Sequence, residues 1–316
     1  MIRDRHLTAA VAVTVLLWSA AFVAIRVALP GFGVAGLSVG RLLVASLVLV
    51  VVAPLLRVRR PARADLPRII ACGLTGMTAY QLLLNAGERS VPAGTASLLV
   101  NTAPIVAAVL ALIVLREPSN RRSIAGLALG FVGAAVITLV QGGGLTPSLD
   151  AGLVLGAAVA QASFFVLQKP LLARYSGVEV TSYAVWSGTA LSLPLLPALI
   201  SDMPRASGEA FAALLFLGVA PSALGFITWA YAQARLPVAT AANTLYLVPV
   251  LAIGIAWAAL GESIHAAALL GGLMILTGVF ISRKPSSTSS SEIKDQGRVP
   301  TSPWRADQSG GRFRRE

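Results

Sequence analysis

Residues 92–104 read PAGTASLLVNTAP, and residues 237–249 read PVATAANTLYLVP. Each is a run of small and apolar residues opened and closed by proline, and the two lie 145 positions apart. At the same offset Glu117 meets Glu262, Gly126 meets Gly271 and Gly133 meets Gly278, with no gap. A looser match, at an offset of 143, aligns Phe22, Val23 and Arg26 with Phe165, Val166 and Lys169. Alanine and leucine matches carry little weight in such a composition. The paired prolines, glutamates and glycines are what indicate an internal duplication.

The 316 residues around these runs are 56% hydrophobic and only 12% charged, with a mean hydropathy of +0.79. An ordinary soluble domain is about a quarter charged, so this chain has too few charges to cover a water-facing surface, and its missing solvent is lipid. A helix needs about 20 mostly apolar residues to cross the hydrocarbon. Ten segments qualify, near 7–29, 33–55, 67–87, 93–115, 122–141, 151–172, 180–201, 210–233, 237–260 and 265–282. Backbone groups in lipid must be satisfied within the segment, and the polar/apolar alternation of a barrel strand is missing, so these are helices. The expected fold is an all-α integral membrane protein with ten transmembrane helices, built as two five-helix repeats over 1–143 and 150–283. Five is odd, so the second repeat enters the bilayer from the opposite side and the repeats are inverted, a plan common among secondary transporters.

Basic residues set the orientation. Arg3 and Arg5, the cluster Arg57 to Arg68, the group Arg116, Arg121 and Arg122, and then Lys169, Arg174 and Arg235 all fall on one side. The other side holds Arg89 and Arg205. Positive charge marks the cytoplasmic face, which puts both termini in the cytoplasm and the chain in the cell (inner or plasma) membrane. The first six residues could open a secretory signal, but the apolar run continues to Leu29 and reads as a retained first helix. A net charge of +12 invites a nucleic-acid partner. Its location, between apolar runs and in the tail, argues for the bilayer instead. Residues 284–316, with a Ser/Thr run from Ser286 to Ser291, read as a disordered basic cytoplasmic tail. Cys72, the single cysteine, excludes an intramolecular disulfide and a thiolate metal cluster.

Candidate binding residues are the polar groups that lipid would penalise. Pro104 and Pro249 fall near the middle of the fourth and ninth helices, where proline kinks the helix and frees a carbonyl four residues earlier. Asn101 and Tyr246 stand beside those carbonyls at equivalent positions. The third helix carries Gln81 and Asn85 at a spacing of four, with Tyr80 adjacent; the eighth carries Trp229 and the ninth Asn243. Trp18 lies midway along the first helix and Gln161 midway along the sixth. Arg41, about eight residues into the second helix, is the charge hardest to explain by snorkelling and could meet a substrate carboxylate. Arg26 and Lys169, nearer span ends, read as snorkelling. No Asp or Glu is expected deep in a span, which argues against a carboxylate-driven pump. Glu117 and Glu262 suit the N-terminal dipoles of the fifth and tenth helices. No HExxH, no paired intramembrane carboxylates and no phosphate loop are present, and the histidines are His6 and His265. No catalytic residue, metal or cofactor is expected, and the chain does not read as an enzyme.

These stretches resemble the drug/metabolite transporter superfamily in its EamA-type branch. The residues responsible are WSAAFVAIR (18–26), Arg41, AGERSVPAGTASLLVNTAP (86–104), Leu115-Arg116-Glu117-Pro118 and Leu260-Gly261-Glu262, within about residues 5–283. The resemblance implies export of amino acids and related metabolites through a central cavity between the halves, carried mainly on Asn101 and Tyr246. Small four-helix relatives use a first-helix glutamate for proton coupling, and this chain has none there. The leading expectation is a secondary exporter of small metabolites by alternating access. A facilitative channel, or a membrane scaffold or sensor acting through the tail, remains an alternative.

Overall fold

The computed structural model describes residues 5–116, 121–141 and 149–261, with isolated positions between 270 and 281. Every described element is helical, and no strand occurs among the described residues. In chain order the helices are α1 (Arg5–Leu55), α2 (Arg63–Gly87), α3 (Ala93–Leu115), α4 (Arg121–Gln141), α5 (Leu149–Ala173), α6 (Gly177–Arg205), α7 (Gly208–Arg235) and α8 (Val238–Leu260). All but α4 are long and apolar enough to cross a membrane, seven in all. The outward faces agree, because Leu47, Val51, Leu55, Ile113 and Val114 are all exposed. Water would penalise such a surface and lipid does not.

With 51 residues, α1 would be about 77 Å long if straight, more than twice the hydrocarbon thickness. It is two limbs. The helix runs through Pro30 and Phe32 and turns at Gly33, whose φ of 57° and ψ of −177° lie where a side chain is strained. Asp202 at the end of α6 lies against this turn.

Several departures from ideal helix come in pairs about 145 residues apart, while the π-segment Ala111–Leu115 in α3 has no counterpart in α8. Segments of π-helix occupy Gly73–Ala79 in α2 and Gly218–Gly225 in α7. Pro92 and Pro237 start α3 and α8 with φ, ψ of −56°, 148° and −55°, 148°. Helix α3 is interrupted at Asn101 and Thr102, while α8 tightens to 3₁₀ over Thr244–Tyr246. Arg116 and Gly261 both end their helices in the left-handed region, at φ 54° and 69°.

Contacts repeat as well. A Cβ built on Gly73 would lie 3.0 Å from the Ala184 carbonyl in α6, and one on Gly218 would lie 3.0 Å from the Arg41 carbonyl in α1. Arg26 Nη1 donates to the Glu88 carbonyl at 3.0 Å, and Lys169 Nζ to the Gln233 carbonyl at 2.6 Å. Both cations, expected to snorkel, instead cap the carbonyls where α2 and α7 end, as basic groups do at helix C-termini. Ser46 in α1 and Thr189 in α6, 143 residues apart, share a hydrogen bond of 2.7 Å.

Glu117, Glu262, His265, most of the tenth expected span and the tail from 284 lie outside the described residues.

Candidate functional site

The interior of the bundle is lined by aromatic rings from α1, α5 and α7. Trp18 stacks parallel to Phe165 at 6.3 Å, and packs on Phe226 at 5.1 Å and Trp229 at 5.5 Å. Phe165 and Trp229 are 4.5 Å apart. The π-segment of α7 contacts this cluster through the Pro221 carbonyl, which accepts from Trp18 Nε1 at 3.3 Å. Such bulges supply backbone acceptors that a regular helix would have consumed.

Two small cavities adjoin this cluster. One, of about 20 Å³, is lined by Arg41, Leu84 and Pro221 among others. The second, of about 30 Å³, is lined by Asn101, Pro104, Gln161 and Phe165 among others. Trp18, Phe22 and Tyr80 belong to both walls. Each is on the scale of a single water, so an organic solute can enter only if the helices part. A far larger groove of about 580 Å³ lies between α3 and α4, but Thr102 supplies its one polar side chain, which makes it a poor place for a polar solute.

Polar atoms facing this interior are incompletely matched. Arg41 is 3% exposed; its Nε donates to Ser222 Oγ at 3.1 Å, while its Nη1 is buried with no hydrogen-bond partner. Asn101 Nδ2 donates to the Ser97 carbonyl at 2.7 Å, leaving Oδ1 buried and without a partner. Gln161 Oε1 and Trp229 Nε1 are also buried without one. Buried polar groups are nearly always satisfied; Arg41 Nη1, Asn101 Oδ1 and Gln161 Oε1 are the unmatched atoms that belong to cavity-lining residues, while both Gln81 side-chain polar atoms, Asn85 Oδ1 and Ser182 Oγ are unmatched away from the cavities.

Of the residues expected from sequence, Trp18, Arg41, Tyr80, Asn101, Gln161 and Pro104 line the two cavities. Trp229 stands behind them through Phe165 and Trp18. The others are buried elsewhere. Asn85 donates to Ser38 Oγ at 2.8 Å, and Gln81 is fully buried with neither side-chain atom bonded. Tyr246 packs on Leu98, and a Cβ on Gly130 of α4 would touch its ring. Asn243 and Pro249 are buried in α8. The polar side chains at the cavities therefore come from α1, α2, α3 and α5, with α7 and α8 contributing mainly apolar walls.

One residue was missed. Glu88 follows the last residue of α2, is fully buried and lies in electrostatic range of Arg41. The hydropathy limit at Gly87 left it in a loop; the carbonyl contact from Arg26 was the available signal, and it is invisible in sequence.

At one end of the bundle the helices are tied by charge. Glu179 accepts from Arg59 Nε at 2.7 Å and from Arg59 N at 3.1 Å, and closes a capping box with Ser176 at the start of α6. Its carboxylate holds the Arg59 guanidinium above its usual pKa. Asp65 accepts from Arg174 at 3.1 Å and Tyr175 at 2.8 Å. The first pair joins the loop after α1 to the first turn of α6, and the second joins the first turn of α2 to the segment between α5 and α6.

A bundle of apolar-surfaced helices around a closed, partly unsatisfied polar interior is the construction of a membrane transport protein. The chain belongs to the EamA-like transporter family, whose model matches it twice, over residues 8–139 and 150–283. It is a multi-pass membrane transporter. Over 289 residues it is 48% identical to a probable terminal-alkyne amino-acid exporter of Streptantibioticus cattleyicolor, covering 92% of this chain and 97% of the relative. It is 27% identical to a probable amino-acid metabolite efflux pump of Salmonella typhimurium, covering 84% and 91%. A solved crystal structure with 19% identity superposes with a TM-score of 0.67 over 88% of this chain and 96% of that one, a likeness of fold alone.

Proposed function

We propose that this chain is a secondary exporter of amino acids or closely related small metabolites, working by alternating access between two inverted five-helix repeats. The repeats are residues 1–143 and 150–283, ten helices in all, with both termini and the 284–316 tail in the cytoplasm. The observation that carries the reading is the pair of small cavities where residues of both halves meet. A channel would keep a continuous wet path, whereas spaces of about 20 and 30 Å³ can pass a solute only if the halves rock. The recurrence of π-segments, proline caps and left-handed helix ends at a spacing of 145 supports duplication. The basic loops support the orientation.

In this reading Trp18, Arg41, Tyr80, Asn101 and Gln161 contact the substrate, and Pro104 and Pro249 set the kinks. Gln81, Asn85, Trp229, Asn243 and Tyr246 hold these positions from behind. The name of the Streptantibioticus relative makes a terminal-alkyne amino acid the first solute to test. Purified protein in liposomes is expected to give saturable counterflow of propargylglycine. Flux that rises linearly with concentration and shows no counterflow would replace the carrier with a channel. Cysteine-accessibility mapping tests the topology, since both repeats reacting the same way up would refute the inversion.

A further inference from the structure

The two cavities differ in the sign of what they offer. In the first, the orphan is Arg41 Nη1, a cationic donor that can serve only an acceptor. In the second, the orphans are Asn101 Oδ1 and Gln161 Oε1. The orientation of the Asn101 amide is not arbitrary. Its partner is the Ser97 carbonyl, which can only accept, so the nitrogen must face Ser97 and the oxygen must face away. The Gln161 amide has no hydrogen bond to hold it and is free to turn its oxygen to a ligand. The Arg41 donor and the Asn101 acceptor are therefore sorted into neighbouring spaces that share Trp18, Phe22 and Tyr80 as a wall. Glu88 does not line either space.

Resting on the exporter reading above, we infer that this divided site recognises the α-amino acid headgroup as a zwitterion, with the carboxylate on Arg41 and the ammonium on the Asn101 and Gln161 oxygens. A compound with adjacent negative and positive groups satisfies both cavities at once. One lacking either group leaves a buried charge or two buried oxygens unmatched, which is the strongest kind of discrimination a site can build. The aromatic cluster gives the side chain an apolar wall. It also gives the ammonium ring faces, which attract cations. Tyr80, common to both walls, stands where the two charged groups of one ligand would meet.

The test is competition for propargylglycine counterflow in proteoliposomes of the full chain. The competitors are propargylglycine itself, its analogue lacking the amine and its analogue lacking the carboxylate. Each analogue is expected to compete about ten- to a hundredfold more weakly than the intact compound. Arg41→Gln is expected to abolish the preference over the decarboxylated analogue and keep the preference over the deaminated one. Asn101→Leu is expected to do the reverse for the amine. This crossed pattern cannot come from misfolding, which would weaken all three compounds together. Counterflow in which either analogue competes as well as the amino acid overturns the zwitterion site and leaves the exporter standing. Exchange of closely related metabolites without any exchange of amino acids overturns the inference alone. The exporter reading falls separately, if no solute exchanges.

Discussion

Gly73→Ala puts one methyl group where α2 and α6 cross. The new Cβ would lie 2.6 Å from Gly188 N and 3.0 Å from the Ala184 carbonyl, and would collide with Ser187 Oγ. Ordinary contact begins at 3.4 Å, so the helices must separate by roughly 0.8 Å, against backbone atoms that cannot rotate away. Overpacking of this kind costs about 1–3 kcal/mol. Moving Ser187 also loosens its 3.1 Å hydrogen bond to the Ile69 carbonyl, worth about 0.6 kcal/mol between membrane helices. The helix-propensity gain of alanine, about 1 kcal/mol, works in the opposite direction. The net expectation is a loss of about 0.6–2.6 kcal/mol, seen as a lower melting temperature in detergent. Gly254→Ala in α8 is the control: nothing lies within 4 Å of its Cβ, so it should be neutral or slightly stabilising. Gly218→Ala, which meets Val44 and the Arg41 carbonyl, should repeat the Gly73 loss. Wild-type melting of Gly73→Ala, with Gly254→Ala behaving as expected, would refute the claim that close approach is what these π-segments require.

Other outcomes follow from the same geometry. Glu179→Ala removes both a capping box and the anchor of Arg59, and is expected to cost about 1–2 kcal/mol. Arg59→Ala, with a side chain 64% exposed, should shift the melting temperature much less, and equal shifts would contradict this division. Ser46→Ala and Thr189→Val are expected to show a coupling near 0.6 kcal/mol in a double-mutant cycle, with additive losses arguing against their bond. Glu88→Gln removes the acid in range of buried Arg41 while keeping the carbonyl that Arg26 uses. Its melting temperature should fall by several degrees, and an unchanged value would mean that Arg41 is compensated elsewhere.

Helix type and position were readable because lipid enforces them: twenty apolar residues in a row have few other fates. Pro92 and Pro237 cap the starts of α3 and α8, and Pro104 stands at the start of the second part of α3, since proline acts on its own backbone and needs no neighbour. Trp18, Arg41, Tyr80, Asn101 and Gln161 were picked out as polar or aromatic groups in mid-span, and they are the ones that meet at the cavities. Gln81 and Asn85 were chosen by one-face spacing, which identifies a face but not what it faces; Asn85 meets Ser38. The α2 π-segment was not read from sequence, because nothing in Gly73–Ala79 marks a π-turn by itself. Its distortion depends on Ala184, Ser187 and Gly188, more than a hundred residues away. Glu88 escaped for a related reason: its burial comes from tertiary packing that no hydropathy window contains.

The ring stack around Trp18 has a practical consequence. This indole lies in the wall of both cavities and 5.5 Å from the Trp229 ring, so a solute cannot settle there without altering the surroundings of two natural fluorophores. Trp257, more than half exposed on the outer surface, offers a built-in reference that the event should leave untouched. The transporter thus carries its own optical probe, and ultraviolet emission from unlabelled protein should report occupancy during turnover.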